Sequence, residues 1–238
     1  MYGFAAGCLL RRQVASALAG ALAFGILALI SLADRAAKAP LVGAARVIDG
    51  DTIDIAGTRV RLEGIDAPEI AQTCGRRMLG TWRCGEAATA AMRRLTAEQV
   101  LSCDRRGVDK YKRVLGVCFN AGKDINAEMV REGLAWAFVK YSQSYVREEA
   151  QARAERVGVW QGEAQPPWEF RAHRWAGAGE TAPSGCAIKG NVSRSGRIYH
   201  MPWSPWYEKV TIEARRGERW FCSEAEALAA GWRPVAMH

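Results

Sequence analysis

The sequence predicts a mainly β fold with helices: a five-stranded barrel of the OB-fold type with three helices, followed by a small C-terminal hairpin-helix module. Two observations predict it. Short runs that alternate apolar and polar residues, separated by glycine turns, recur between Ala44 and Asn120, and an alanine-rich helical stretch falls between the third run and the fourth. Three strands, a helix and two more strands is the order a small five-stranded barrel uses.

The elements follow in order. "AARVI", "DTIDI" and "TRVRLEG" form a meander broken at Gly50 and at Ala56-Gly57, with Ile53 and Ile55 flanking Asp54 and Val60 and Leu62 flanking Arg61. An irregular stretch runs from Asp66 to Arg83. From Gly85, "GEAATAAMRRLTAEQ" is helical by its alanine content. "VLSCD" and "YKRVLGVCFN" are the last two barrel strands, joined through the charged loop Arg105 to Lys110. Asp124 caps a second helix, "INAEMVRE", which Gly133 ends as a left-handed residue, and Ser144 starts a third, "YVREEAQARAERV". The barrel domain is thus expected over residues 40–160, with a linker over 161–184 that holds one short helix at "WEFRAHRW". Residues 185–238 form the C-terminal module, with a hairpin "VTIEA-RRG-ERWFC" and a helix "EAEALAA" opened by the Ser223/Glu226 capping box and stopped by Gly231. Its tryptophans Trp203, Trp206, Trp220 and Trp232 serve either as its core or as stacking surfaces for bases.

Residues 1–39 stand apart. Val14 to Ala33 carries no charge and follows Arg11 and Arg12, the pattern of an export signal or of a single transmembrane anchor. Ser31-Leu32-Ala33 would serve signal peptidase; both readings stay open. In either case the arginines stay inside, and the remainder is expected secreted, periplasmic or membrane-anchored outside the cytoplasm. Six of the 7 cysteines lie beyond that segment, which suits disulfides in an exported chain. Sequence neighbours give the simplest pairing, Cys74 with Cys84, Cys103 with Cys118 and Cys186 with Cys222; zinc binding, with Cys186, His200 and Cys222 as ligands in the tail, is the competing reading. The net charge of +8 suits a polyanionic partner or an anionic membrane surface.

The 3 histidines are His173, His200 and His238, so none lies between Pro40 and Trp160, and histidine-based triads are excluded from the barrel. Neither a Walker loop nor a GxSxG elbow occurs. Any chemistry there falls to carboxylates and arginines. Asp51 shares the strand parity of Ile53 and Ile55 and is expected half shielded at the strand's open end, while Asp66 follows the third strand, where Pro68 forces a turn. Two such carboxylates and a backbone carbonyl, crowded at one rim, make a hard oxygen site fit for Ca²⁺. Glu69 is placed to act as general base on a water, and Arg61 and Arg113 to grip a phosphodiester as planar forks.

"VIDGDT", "RVRLEGIDAPE", "DKYKRVLG" and "NAEMVREGLAW" stand in the order and near the spacing of the thermonucleases, the staphylococcal-nuclease-like family, which the chain resembles over about Leu41 to Trp160. The resemblance implies the five-stranded barrel with three helices and Ca²⁺-dependent cleavage of DNA and RNA to leave 3′-phosphate ends. It puts the metal on Asp51 and Asp66 with the carbonyl of Ala67, catalysis on Arg61, Glu69 and Arg113, and the nucleotide's phosphate on Lys110 and Tyr111, with Tyr141 as a loose match to a base-stacking tyrosine. Ala67 departs from the family's threonine, and the segment Ala71 to Arg83 is an insertion. The alternative is a non-catalytic nucleic-acid-binding OB-fold protein of the cell envelope. A monomer is expected.

Overall fold

Turns written in glycine and strands written in β-branched residues determine the first sheet. In a computed structural model, which describes residues 39–97 and 100–235, β1 (Leu41–Val47), β2 (Thr52–Ile55) and β3 (Thr58–Leu62) form the expected antiparallel meander. Ala56 and Gly57 both adopt positive φ in the two-residue turn between β2 and β3, which glycine takes without steric cost. Helix α1 (Cys84–Thr96) precedes β4 (Val100–Val108) and β5 (Val114–Asn120). β4 pairs with β1 and with β5, and the parallel pairing of β3 with β5 closes the five strands into a barrel. Ile53, Ile55, Val60, Leu62, Leu101 and Val114 fill it, and Met92 of α1 and Met129 of α2 (Ile125–Arg131) pack against it. Burying each such side chain contributes roughly 1.5–3 kcal/mol.

The caps follow the sequence in one helix and depart from it in the next. The Asp124 side chain accepts from the Ala127 amide at 3.1 Å, and Gly133 has φ +66°. For α3 (Val146–Glu155), however, Ser144 does not cap: the preceding residue is Tyr145, and the Ser144 hydroxyl bonds that of Ser142 at 2.8 Å. Tyr145 is drawn inward, its hydroxyl donating to Asp124 at 3.1 Å, and this displaces the helix start by a residue.

The stretch expected as a linker is mostly α4 (Pro167–Thr181), opened by a proline in its first turn. Beyond it stands a second sheet. β6 (Ile188–Ser193) and β7 (Gly196–His200) are a hairpin turned at Gly196, β8 (Arg219–Phe221) pairs on β6, α5 (Glu224–Ala229) follows, and β9 (Arg233–Pro234) lies parallel to β7. The expected hairpin over "VTIEA" and "ERWFC" does not form. The buried Glu218 carboxylate accepts from the amides of Val192 and Glu213 at 3.0 Å each, which fastens residues 210–217 as a loop and leaves β8 to pair with β6. Tyr199, Phe221 and Trp232 form this sheet's core, so Trp232 is structural.

All three neighbouring cysteine pairs are disulfides: Cys74–Cys84, Cys103–Cys118 and Cys186–Cys222. The last removes the zinc reading of the tail, and His200 instead meets Asn191 at 3.0 Å. The candidate signal or anchor at Val14 to Ala33 lies outside the described residues; among those described, no helix is long and apolar enough to cross a membrane.

Candidate active site at the barrel rim

The β1–β2 turn brings the first acid inward. A Cβ on Gly50 would stand 2.7 Å from that of Ala67, so only glycine lets this turn press against the segment after β3. Asp49 closes the turn by accepting from the Asp51 amide at 3.1 Å. Asp51 then receives the Ala67 amide on Oδ2 at 2.8 Å and the Thr52 hydroxyl on Oδ1 at 3.1 Å. It is 3% exposed, buried where the sequence had suggested half shielding, because the close turn covers it.

Arg61 on β3 ties the two acids together. One of its Nη atoms pairs with Asp51, and the other lies 2.7 Å from Asp66 Oδ1. Asp66 is fully buried, in a two-residue antiparallel pairing that sets it against Trp136 and Ile65 against Ala137. Burial pushes its pKa up, but the Arg61 and Arg171 guanidiniums outweigh that and hold the carboxyl below its ordinary value. Glu69 follows on the next turn, where Gln72 accepts from its amide at 3.2 Å and donates to the Gln165 carbonyl at 2.6 Å. Burial pushes the Glu69 carboxyl up to about 7 against the opposing pull of Arg171, with Asp49 adding to the rise.

The residue the sequence did not reveal is Arg171. Its guanidinium reaches both oxygens of Asp66, Nη2 to Oδ2 at 2.7 Å and Nη1 to Oδ1 at 3.1 Å, and also Glu69 Oε1 at 2.8 Å. Helix α4 is set for this by Trp168, whose ring stacks on Phe138 at 5.5 Å; three residues on, Arg171 shares its face. The signal "WEFRAHRW" was visible, yet a contact across 105 residues leaves no local trace.

Arg113 is held elsewhere on the rim. Its Nε donates to Asp109 Oδ2 at 2.7 Å, while the Asp109 side chain also accepts from the amides of Tyr111 and Arg113, building a tight turn in which Lys112 has φ +63°. The Asp49 carboxyl is raised by burial and pulled back by the Arg61 and Arg113 guanidiniums. Lys110 stands 4.8 Å from the Tyr111 ring centroid on the exposed side of the same turn. Tyr141 is 70% exposed beside Phe138.

Three carboxylates, Asp51, Asp66 and Glu69, therefore share two guanidiniums. Among the described residues, no group of three acids, histidines or cysteines stands ready to hold a metal, since Arg61 and Arg171 lie between the acids. The donor chemistry nevertheless fits a hard divalent ion: the oxygens are anionic, two are buried, and Asp66 already demands cationic partners on both of its oxygens.

A closed barrel with acids and guanidiniums converging at one rim has the charge chemistry to engage a phosphodiester. Residues 59–162 match the family model described as staphylococcal nuclease homologue, and residues 167–234 match a separate one described as ArfC. The chain is 39% identical over 142 residues to the succinoglycan biosynthesis protein ExoI of Rhizobium meliloti, covering 58% of this chain and 73% of that protein. It is 38% identical over 145 residues to the micrococcal nuclease of Shigella flexneri, covering 53% and 77%, and 36% identical over 137 residues to an uncharacterised endonuclease of Escherichia coli, covering 54% and 82%. The chain belongs to the staphylococcal nuclease homologue family.

Proposed function

We propose that the protein is an exported, Ca²⁺-dependent nuclease that hydrolyses phosphodiester bonds in DNA and RNA and leaves 3′-phosphate ends. The observation that carries the reading is the Asp51–Arg61–Asp66 bridge with Glu69 on the same rim. Asp51, Asp66 and the Ala67 carbonyl would hold the cation, whose chemistry is to neutralise charge on the phosphate and to order water. The remaining chemistry belongs to the chain. Glu69, with its carboxyl poised near 7, takes a proton from the attacking water as that oxygen bonds to phosphorus. The bond from phosphorus to the 5′ oxygen breaks, and the leaving oxygen takes its proton from solvent. Arg61 and Arg113 take up the charge that grows on the phosphate oxygens, while Lys110 and Tyr111 hold the neighbouring phosphate. The N-terminal segment would deliver the enzyme across a membrane, where the three disulfides persist.

The test is direct. The full chain, purified in mild detergent, is incubated with DNA and with RNA in Ca²⁺ or in chelator. Cleavage in Ca²⁺ alone supports the reading; folded protein inert in both conditions removes it.

A further inference from the structure

The insertion between Ala71 and Arg83 ends in an apex that the proposed chemistry does not use. Met78 and Leu79 stand side by side, each 90% exposed, and Arg76 and Arg77 precede them on the exposed surface. We propose that this apex is a wedge for duplex nucleic acid: Met78 and Leu79 enter a base step beside the scissile bond, while Arg76 and Arg77 hold the flanking phosphates. The proposal rests on the nuclease reading above.

The apex is braced from below. Cys74 pairs with Trp82 and Gly75 with Thr81 in a short antiparallel ladder, and the Cys74–Cys84 disulfide closes its base. The Arg76 amide donates to the Gly80 carbonyl at 3.0 Å, Arg76 Nε to the Thr81 carbonyl at 3.2 Å, and the Trp82 indole to the Gly75 carbonyl at 3.2 Å. Gly80 turns the chain at φ +87°. These bonds fix the backbone of the tip while its two large apolar side chains stand in water. Apolar side chains grouped on such a tip mark a contact surface. Neither Arg76 nor Arg77 pairs with a carboxylate among the described residues, so the charge beside the apex is open to an external anion.

The root of this hairpin is the turn that carries Glu69. The Gln72 amide donates to the Glu69 carbonyl at 2.7 Å, and the Gly85 amide, on the far side of the hairpin, donates to the Gln72 carbonyl at 3.3 Å. A Cβ on Gly85 would stand 1.7 Å from the Glu69 carbonyl oxygen, so the returning chain closes directly on that turn. From Cys74 to Met78 the chain reaches at most about 14 Å, or roughly four base pairs along a duplex. Nucleic acid held at the rim therefore adjoins the hairpin, and this continuity favours it over an anionic lipid surface as the partner. Leucine and methionine are among the side chains that enter between stacked base steps and kink the duplex toward the major groove. A stacked step meets both sides of such a wedge with apolar surface, which a loose single strand does not.

The experiment uses the full chain in phosphatidylcholine nanodiscs, with chelator to stop cleavage. A duplex of about twenty base pairs carries a fluorescent donor at one end and an acceptor at the other, so energy transfer reads its bend. Anisotropy reads the binding of the duplex and of its single strand. Wild type is expected to raise the transfer efficiency. Met78→Ser combined with Leu79→Ser is expected to abolish that rise and to weaken duplex binding about tenfold, well beyond its effect on the single strand. Arg76→Gln combined with Arg77→Gln is expected to weaken both forms and to lower the salt slope of binding by about two. All four side chains are exposed, so melting temperatures should match wild type. A duplex left straight by wild type, or bound and bent by the serine pair as by wild type, overturns the wedge and leaves the nuclease reading standing. Tryptophan fluorescence that brominated phosphatidylglycerol in the disc quenches, and that the serine pair relieves while duplex bending persists, assigns the apex to lipid and also overturns the wedge. A wild type that binds neither form and cleaves neither in Ca²⁺ overturns both readings.

Discussion

Arg171 clasps both oxygens of Asp66, at 2.7 Å and 3.1 Å, from a helix that lies beyond the nuclease-like residues. A cation entering between Asp51 and Asp66 must compete with that guanidinium. Arg171→Gln is therefore expected to raise Ca²⁺ affinity by about tenfold, or ~1.4 kcal/mol, in calorimetric titration. The same change leaves a buried carboxylate short of a partner, so the metal-free melting temperature falls, and added Ca²⁺ recovers more of it than in wild type. Affinity and melting both at wild-type values would contradict this competition.

Glu69→Gln keeps the shape of the side chain and removes the proton acceptor, while Arg113→Ala removes a donor to the phosphate. Each is expected to slow single-turnover cleavage by roughly 10²–10³-fold. Melting temperature should stay close to wild type for Glu69→Gln, since its amide can still accept from Arg171. Wild-type turnover in either variant refutes the role assigned to that residue.

The Glu69 carboxyl, raised by burial from 4.5 to about 7, holds a proton in the folded state that the unfolded chain has already lost in between. Metal-free stability contributed by this group is therefore fully present below about pH 4.5 and declines as pH rises toward 7. Asp66 acts in the opposite sense: its lowered carboxyl gives stability that is present above its ordinary 3.8 and is lost as pH falls through the folded value. Thermal melts of metal-free wild type and Glu69→Gln across this range check the first effect. The variant should lose the decline between 4.5 and 7; parallel curves would exclude Glu69 as its source.

Gly50→Ala should separate geometry from chemistry. The added methyl meets Ala67 Cβ at 2.7 Å and Ala88 Cβ at 3.0 Å, so the turn must back away and Asp51 loses its bond from the Ala67 amide. No charge changes, yet Ca²⁺ affinity is expected to fall by about tenfold or more, with overpacking costing about 1–3 kcal/mol of stability. Calorimetry at unchanged affinity would show that the turn does not set the metal ligands.

The sequence made the barrel legible because its signals are local: period-two strands, glycine turns, the Asp124 cap and cysteines paired with near neighbours. The acids and Arg61 were legible for the same reason, lying within one meander and the turn after it. What escaped depends on distant contacts. Arg171 gains its meaning from Asp66, far back in the chain, and Glu218 converts an expected strand to a loop by fastening amides from two segments. The β6–β7 hairpin carries a glycine turn, but its lysine, serines and arginines masked the strand pattern. Burial of Asp51 follows from how closely Gly50 meets Ala67, a packing fact rather than a pattern.

End-group analysis of oligonucleotide products tests the central claim most directly. The full chain with Ca²⁺ should release fragments bearing 3′-phosphate and 5′-hydroxyl ends from both DNA and RNA, and chelator should abolish them. Fragments with 5′-phosphate ends, or cleavage that persists in chelator, would contradict the account.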